Sequence, residues 1–114
     1  MAAVPSYDDF ELKERLGNGP LGILVTRVEN KALLDDLIGF ASKLDISVIV
    51  FFMDEAVKLI NDTTWLELLP SNGRYSACQS SAELRSVVPH SRVEFAGQYH
   101  NALMVHDAPY LVSL

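Results

Sequence analysis

Apolar residues arrive along this chain in two rhythms, and the switches between them lay out an alternating fold. Ile23-Leu24-Val25, within Leu21 to Thr26, is a continuous apolar run of the kind expected for a strand buried on both faces. Leu33, Leu34, Leu37, Ile38, Ala41 and Leu44 then follow the helical repeat, with Lys31, Asp35, Asp36 and Lys43 left for solvent and Asn30 placed to cap the helix. Ile46 to Phe52 is β-branched, aromatic and almost free of polar residues, which predicts a central strand covered on both sides. Asp54 is the expected cap of a helix over Glu55 to Ile60, and Thr64-Trp65-Leu66-Glu67 has capping-box form before the turn Pro70-Ser71-Asn72-Gly73. Tyr75 to Cys78 is a third strand. Ser80-Ser81-Ala82-Glu83 has capping-box spacing as well, with Ala82, Leu84, Val87 and Val88 available to pack before Pro89. Arg92 to Phe95, Gln98 to His106 and Tyr110 to Ser113 complete the series as strand, helix and strand.

Strands alternating with helices through short connections predict right-handed parallel crossovers. The expected fold is therefore an α/β protein, a three-layer α/β/α sandwich around a mainly parallel five-stranded sheet. A polar helical stretch from Asp8 to Leu16 runs into Gly17-Asn18-Gly19-Pro20, so residues 1–20 read as a variable leader and 21–114 as one domain. At 114 residues and 49% hydrophobic content the chain suffices for one core.

Charge and cysteine count narrow the partners. A formal charge of −6 and a pI near 4.8 give a field that repels nucleic acid and anionic lipid. No segment approaches the roughly 20 apolar residues that span a bilayer, and Met1-Ala2-Ala3-Val4-Pro5 has neither a basic start nor a long apolar run. A lone cysteine cannot close an intrachain disulfide, and a free thiol is kept most easily in a reducing compartment, so the cytoplasm is the expected location. The mean hydropathy of +0.16 is high for a small acidic chain and points to apolar surface hidden by self-association.

Cys78 is the main candidate for chemistry. It closes the third strand just before a helix expected near Ser80 or Ser81. There, unpaired N–H groups and partial positive charge favour thiolate over thiol. Ligand sites in parallel sheets form beyond the carboxyl ends of the strands, an edge that also holds Arg27, Val28, Met53, Asp54, Ala96 and Gly97. The plainer reading is that Cys78 is a small buried hydrophobe at a strand end. His90, His100 and His106 can serve as acid or base but lack zinc-ligand spacing, so they read as surface or loop histidines and no metal is called for. No Gly-rich phosphate loop is present, and no cofactor is expected. Trp65, Leu66, Leu68 and Leu69 are placed to lid the Cys78 pocket, to meet a second subunit, or to pack in the core. Phe95, Tyr99, Leu103 and Met104 read as core or oligomer contacts.

The order of elements, the run Phe51-Phe52-Met53-Asp54-Glu55-Ala56-Val57 and the strand-closing Cys78 resemble the DsrE-like family of sulfur-relay proteins, which includes TusD-type subunits. The likeness spans about Gly22 to Leu114. Members often place an Arg in the helix after the Cys, and Cys78-Gln79-Ser80-Ser81-Ala82-Glu83-Leu84-Arg85 keeps that spacing; the Gly that often follows is Ser86 here. Two further departures are Arg27-Val28-Glu29-Asn30, which lacks the family's Gly and Pro, and Pro109 in place of a common Asp. The resemblance implies a sulfurtransferase-like carrier: Cys78 accepts sulfane sulfur from a protein donor and passes it to a protein acceptor. Ser80, Ser81, Arg85 and Asp54 would support it, within a dimer, trimer or hexamer or an assembly with like-folded subunits.

Two other classes fit less well. In phosphocysteine phosphatases the pattern is Cys-x5-Arg, whereas six residues separate Cys78 from Arg85, without glycine and with Glu83 among them. Receiver domains end strand three in Asp, not Cys. The alternative kept is a non-catalytic assembly or regulatory subunit of the same fold, which uses Cys78 structurally or not at all.

Overall fold

The computed structural model describes residues 19–97, 99 and 106–114. Its centre is an all-parallel five-stranded sheet: β1 (Leu21–Val25), β2 (Val48–Phe52), β3 (Arg74–Cys78), β4 (Glu94–Ala96) and β5 (Tyr110–Ser113), in the spatial order β4-β3-β2-β1-β5. With its flanking helices this is an α/β sandwich. Because β1 to β4 step in one direction, right-handed crossovers carry all three intervening connections over the same face. The core agrees. Residues of α1 (Lys31–Lys43), of a 3₁₀ helix (Asp54–Asn61), of α2 (Thr63–Leu68) and of α3 (Gln79–Leu84) share one apolar cluster with Ile23, Val25, Val50, Phe52 and Ala77.

Strand alternation sends the other set of side chains to the second face. Ile49 and Phe51 form a separate buried cluster there, flanked by Leu24, Met53 and Cys78. Gly22 on that face is required by close approach, since a Cβ would lie 2.8 Å from the Ala108 Cβ.

The segment after β2 is helical, as its sequence predicts, but tighter. Its buried residues are Ala56, Val57, Leu59 and Ile60, two i, i+3 pairs, and in a 3₁₀ helix such pairs stack in rows on one side. Asp54 does not cap it. Met53 holds the N-cap position, and Asp54 is the exposed first residue of the helix at φ 51, so the junction is a left-handed kink. The predicted Thr64 capping box also fails, because Asp62 takes the capping role two residues earlier and accepts from the Trp65 N–H at 3.1 Å. Asn30 occupies the position before α1 without a capping bond, and Leu33 is exposed while Leu34, Ile38 and Ala41 face the core.

The chain leaves α1 and α3 through the same device. After α1, Asp45 adopts φ 58 while the Ile46 N–H reaches back to the Ala41 carbonyl. After α3, Ser86 adopts φ 56 while the Val87 N–H reaches the Ala82 carbonyl. These are Schellman closures, with Ser86 at the left-handed position usually given to glycine. Stopping α3 there buries Val87 but leaves Leu84 and Val88, both expected to pack, exposed at 80% and 70%. The leader up to residue 18 and most of the helix expected over Gln98 to His106, with His100, Leu103 and Met104, lie outside the described residues.

Candidate functional site

The carboxyl edge of the sheet is where β1, β2, β3 and β4 end and their connections begin, and Cys78 is the last residue of β3. Its Cα is in register with Ala96 of β4. Alternation along Arg74–Cys78 sends Tyr75 and Ala77 into the main core and Cys78 to the second face, against the Ile49–Phe51 cluster. The thiol is free and half-buried. Small residues of β4 and its end stand beside it. Ala96 stands opposite it, and among the described residues nothing lies within 4 Å of where a Gly97 Cβ would be.

The chain turns into α3 directly at Cys78, which holds the N-cap position at φ −65 and ψ 117. No hydrogen bond runs from the α3 amides to its sulfur. The helix thus opens one to two residues earlier than its sequence suggests, and the Ser80 capping box does not form. Glu83 instead accepts from the Gln79 side-chain amide at 3.0 Å.

Three of the four predicted supporting residues come together in a brace across the sheet edge. The Asp54 N–H donates to Ser81 Oγ at 3.1 Å, and Ser81 is only 8% exposed. Arg85 Nε donates to Glu55 Oε1 at 3.0 Å, and a second guanidinium N–H reaches the Ser81 carbonyl at 3.3 Å. Lys58 also meets Glu55, at 2.6 Å. Hydrogen bonds from Lys58 and Arg85 hold the Glu55 carboxyl below its ordinary value. The brace ties the kink after β2 to the helix that Cys78 opens. Ser80 is exposed and takes no part in it. Arg85 is therefore committed to Glu55 and to backbone, not turned to the sulfur. Glu55 reads from sequence as a helix-start residue that could also tune this edge electrostatically; its pairing with Arg85 was not legible there, and only the adjacency of the two connections reveals it.

The remaining candidates separate from this edge. Trp65, Leu66 and Leu69 are buried in the core on the helix-covered face, so they do not lid Cys78; Leu68 is 79% exposed. His90 Nδ1 accepts from the Arg92 N–H at 3.1 Å, and His106 lies 3.3 Å from Asp107 at the surface. His106, then Arg74, hold the Asp107 carboxyl below its ordinary value. Phe95 packs against the main core, and Tyr99 is exposed. Among the described residues no three His, Cys, Asp or Glu side chains gather as a metal site, and no helix is long and apolar enough to cross a membrane.

No protein-family model matches this chain, and no curated protein matches it either.

Proposed function

We propose that the protein carries sulfane sulfur on Cys78. The observation that carries this reading is the position of a free, half-buried thiol at the last residue of a parallel strand, on the edge where such sheets hold their ligands. The resemblance of Cys78 to Arg85 and of Phe51 to Val57 to DsrE-like sulfur-relay proteins supports it. The chemistry needs only a reachable thiolate. Cys78 attacks the outer sulfur of a donor persulfide; a bond forms between its sulfur and that atom, the donor sulfur–sulfur bond breaks, and the donor leaves as a thiolate. An acceptor thiolate then takes the outer sulfur and releases Cys78 unchanged, so the cycle has no net oxidation. On this reading the apolar wall of Ile49, Phe51, Leu24 and Met53 shields the loaded sulfur from water between the two encounters. Donor and acceptor are proteins, and the cycle operates in a reducing compartment such as the cytoplasm.

A second reading has a specific observation behind it. Tyr110 and Leu111 are exposed on β5, an edge strand whose outer side is unpaired among the described residues. Together with an Arg85 that serves Glu55, this fits an assembly subunit with a structural Cys78. Mass spectrometry after incubation with polysulfide or a persulfidated protein donor separates the two. The carrier reading expects the mass of added sulfur on wild type and none on Cys78→Ser; an unmodified wild type favours the assembly subunit.

A further inference from the structure

Glycine inside a helix is costly, because the folded state gives up the most backbone freedom and gains no side-chain contact. Among the described residues nothing requires Gly39, in α1, to be glycine. A Cβ there meets no atom of the described residues within 4 Å, and its φ is not in the left-handed region. It instead lines a groove of about 400 Å³ between α1 and the end of α2. Ile38, Trp65, Leu68 and Leu69 form its apolar walls, and Leu68 is 79% exposed. Among the described residues Asp35 is the only ionisable one lining it, and it is fixed in place by the Trp65 indole N–H at 2.7 Å; Lys31, 5.2 Å over the Trp65 ring, is paired with Asp62 at 3.4 Å. The groove belongs to the helix-covered face, whereas Cys78 belongs to the other.

We infer that this groove docks a segment of another protein that carries a large aliphatic side chain beside Lys or Arg. The missing side chain at Gly39 lets the aliphatic group approach the helix backbone, and the basic neighbour meets Asp35 within a field set by a chain charge of −6. The same charge disfavours the two occupants nearest to hand. A second copy brings another −6, and the chain's own residues 8–16 hold Asp8, Asp9, Glu11 and Glu14 against Lys13 and Arg15.

Trp65 is the only tryptophan and lines the groove, so its fluorescence reports binding without a label. The full chain is titrated with acetyl-Lys-Leu-Leu-Arg-amide, with the Glu-Leu-Leu-Glu and Lys-Ser-Ser-Arg counterparts, and with a peptide of residues 6–16. The inference expects saturable change with the first peptide alone. Gly39→Phe should weaken it by roughly ten-fold or more, and Asp35→Asn should weaken it while keeping the indole contact. Gly39→Ala should raise Tm by about 4 °C, which shows that the fold itself does not need the glycine. Several results would overturn the inference: no response up to millimolar peptide, an equal response to the acidic peptide or to residues 6–16, unimpaired binding by Gly39→Phe, or self-association that Gly39→Phe abolishes.

Discussion

Ser81→Ala tests the brace that holds α3 against the end of β2. The substitution removes one oxygen from a side chain that is 8% exposed, and with it the acceptor 3.1 Å from the Asp54 N–H. Asp54 is itself exposed, so water reaches part of the orphaned amide, and the loss falls near the lower end for a broken buried bond, about 1–2 kcal/mol. Unfolding entropy of roughly 2.1 cal/mol/K per residue gives about 0.24 kcal/mol/K for 114 residues, so Tm should fall by about 4–8 °C. Ser80→Ala, one residue away and exposed, is the control and should shift stability by less than about 0.5 kcal/mol. Thermal unfolding followed by circular dichroism reads both. Alkylation of Cys78 should also become faster in Ser81→Ala, because the first turn of the helix that begins at Cys78 loses its tie. A Ser81→Ala protein that melts with Ser80→Ala and alkylates at the wild-type rate would refute the brace.

Other outcomes follow from the same geometry. Ser86→Gly places glycine at a φ of 56 and should stabilise by about 1 kcal/mol in urea unfolding. Leu66→Ala, at a fully buried site, should cost about 2–5 kcal/mol, whereas Leu84→Ala, 80% exposed, should be nearly silent. The Glu55 carboxyl is lowered on folding, so what it adds to stability is present above the ordinary carboxylate value of 4.5 and is lost as pH falls through its folded value. Acid unfolding of Glu55→Gln should lose that increment, and an NMR titration of Glu55 with a midpoint at or above 4.5 would contradict the Lys58 and Arg85 bonds.

What could be read in advance divides along physical lines. β1, β2 and β5 were legible because apolar or β-branched runs between turn residues carry their own signal, and the alternation of elements implied the parallel sheet. Helix starts were less legible. Asp62, Thr63 and Thr64 are three adjacent capping types, and only the fold chooses Asp62. Asp54 has a capping side chain, yet its backbone takes the left-handed region that Asp also tolerates, and sequence does not rank those two uses. Cys78 was visible as a strand-end thiol. Its facing was not, because which face of β3 meets the main core depends on register with β2. Arg85 and Glu55 lie 30 residues apart in sequence, and their pairing needs the crossover to bring the two connections side by side.

The central claim is that Cys78 both accepts and releases sulfur, and an isotope chase tests it most directly. The protein is loaded from a persulfide donor labelled with heavy sulfur, desalted, and mixed with an acceptor thiol, and intact mass is followed with time. The account predicts one labelled sulfur on wild type that leaves to the acceptor and returns the unmodified chain, with no label on Cys78→Ser. Label that never enters Cys78, or that enters and stays whatever the acceptor, would contradict it.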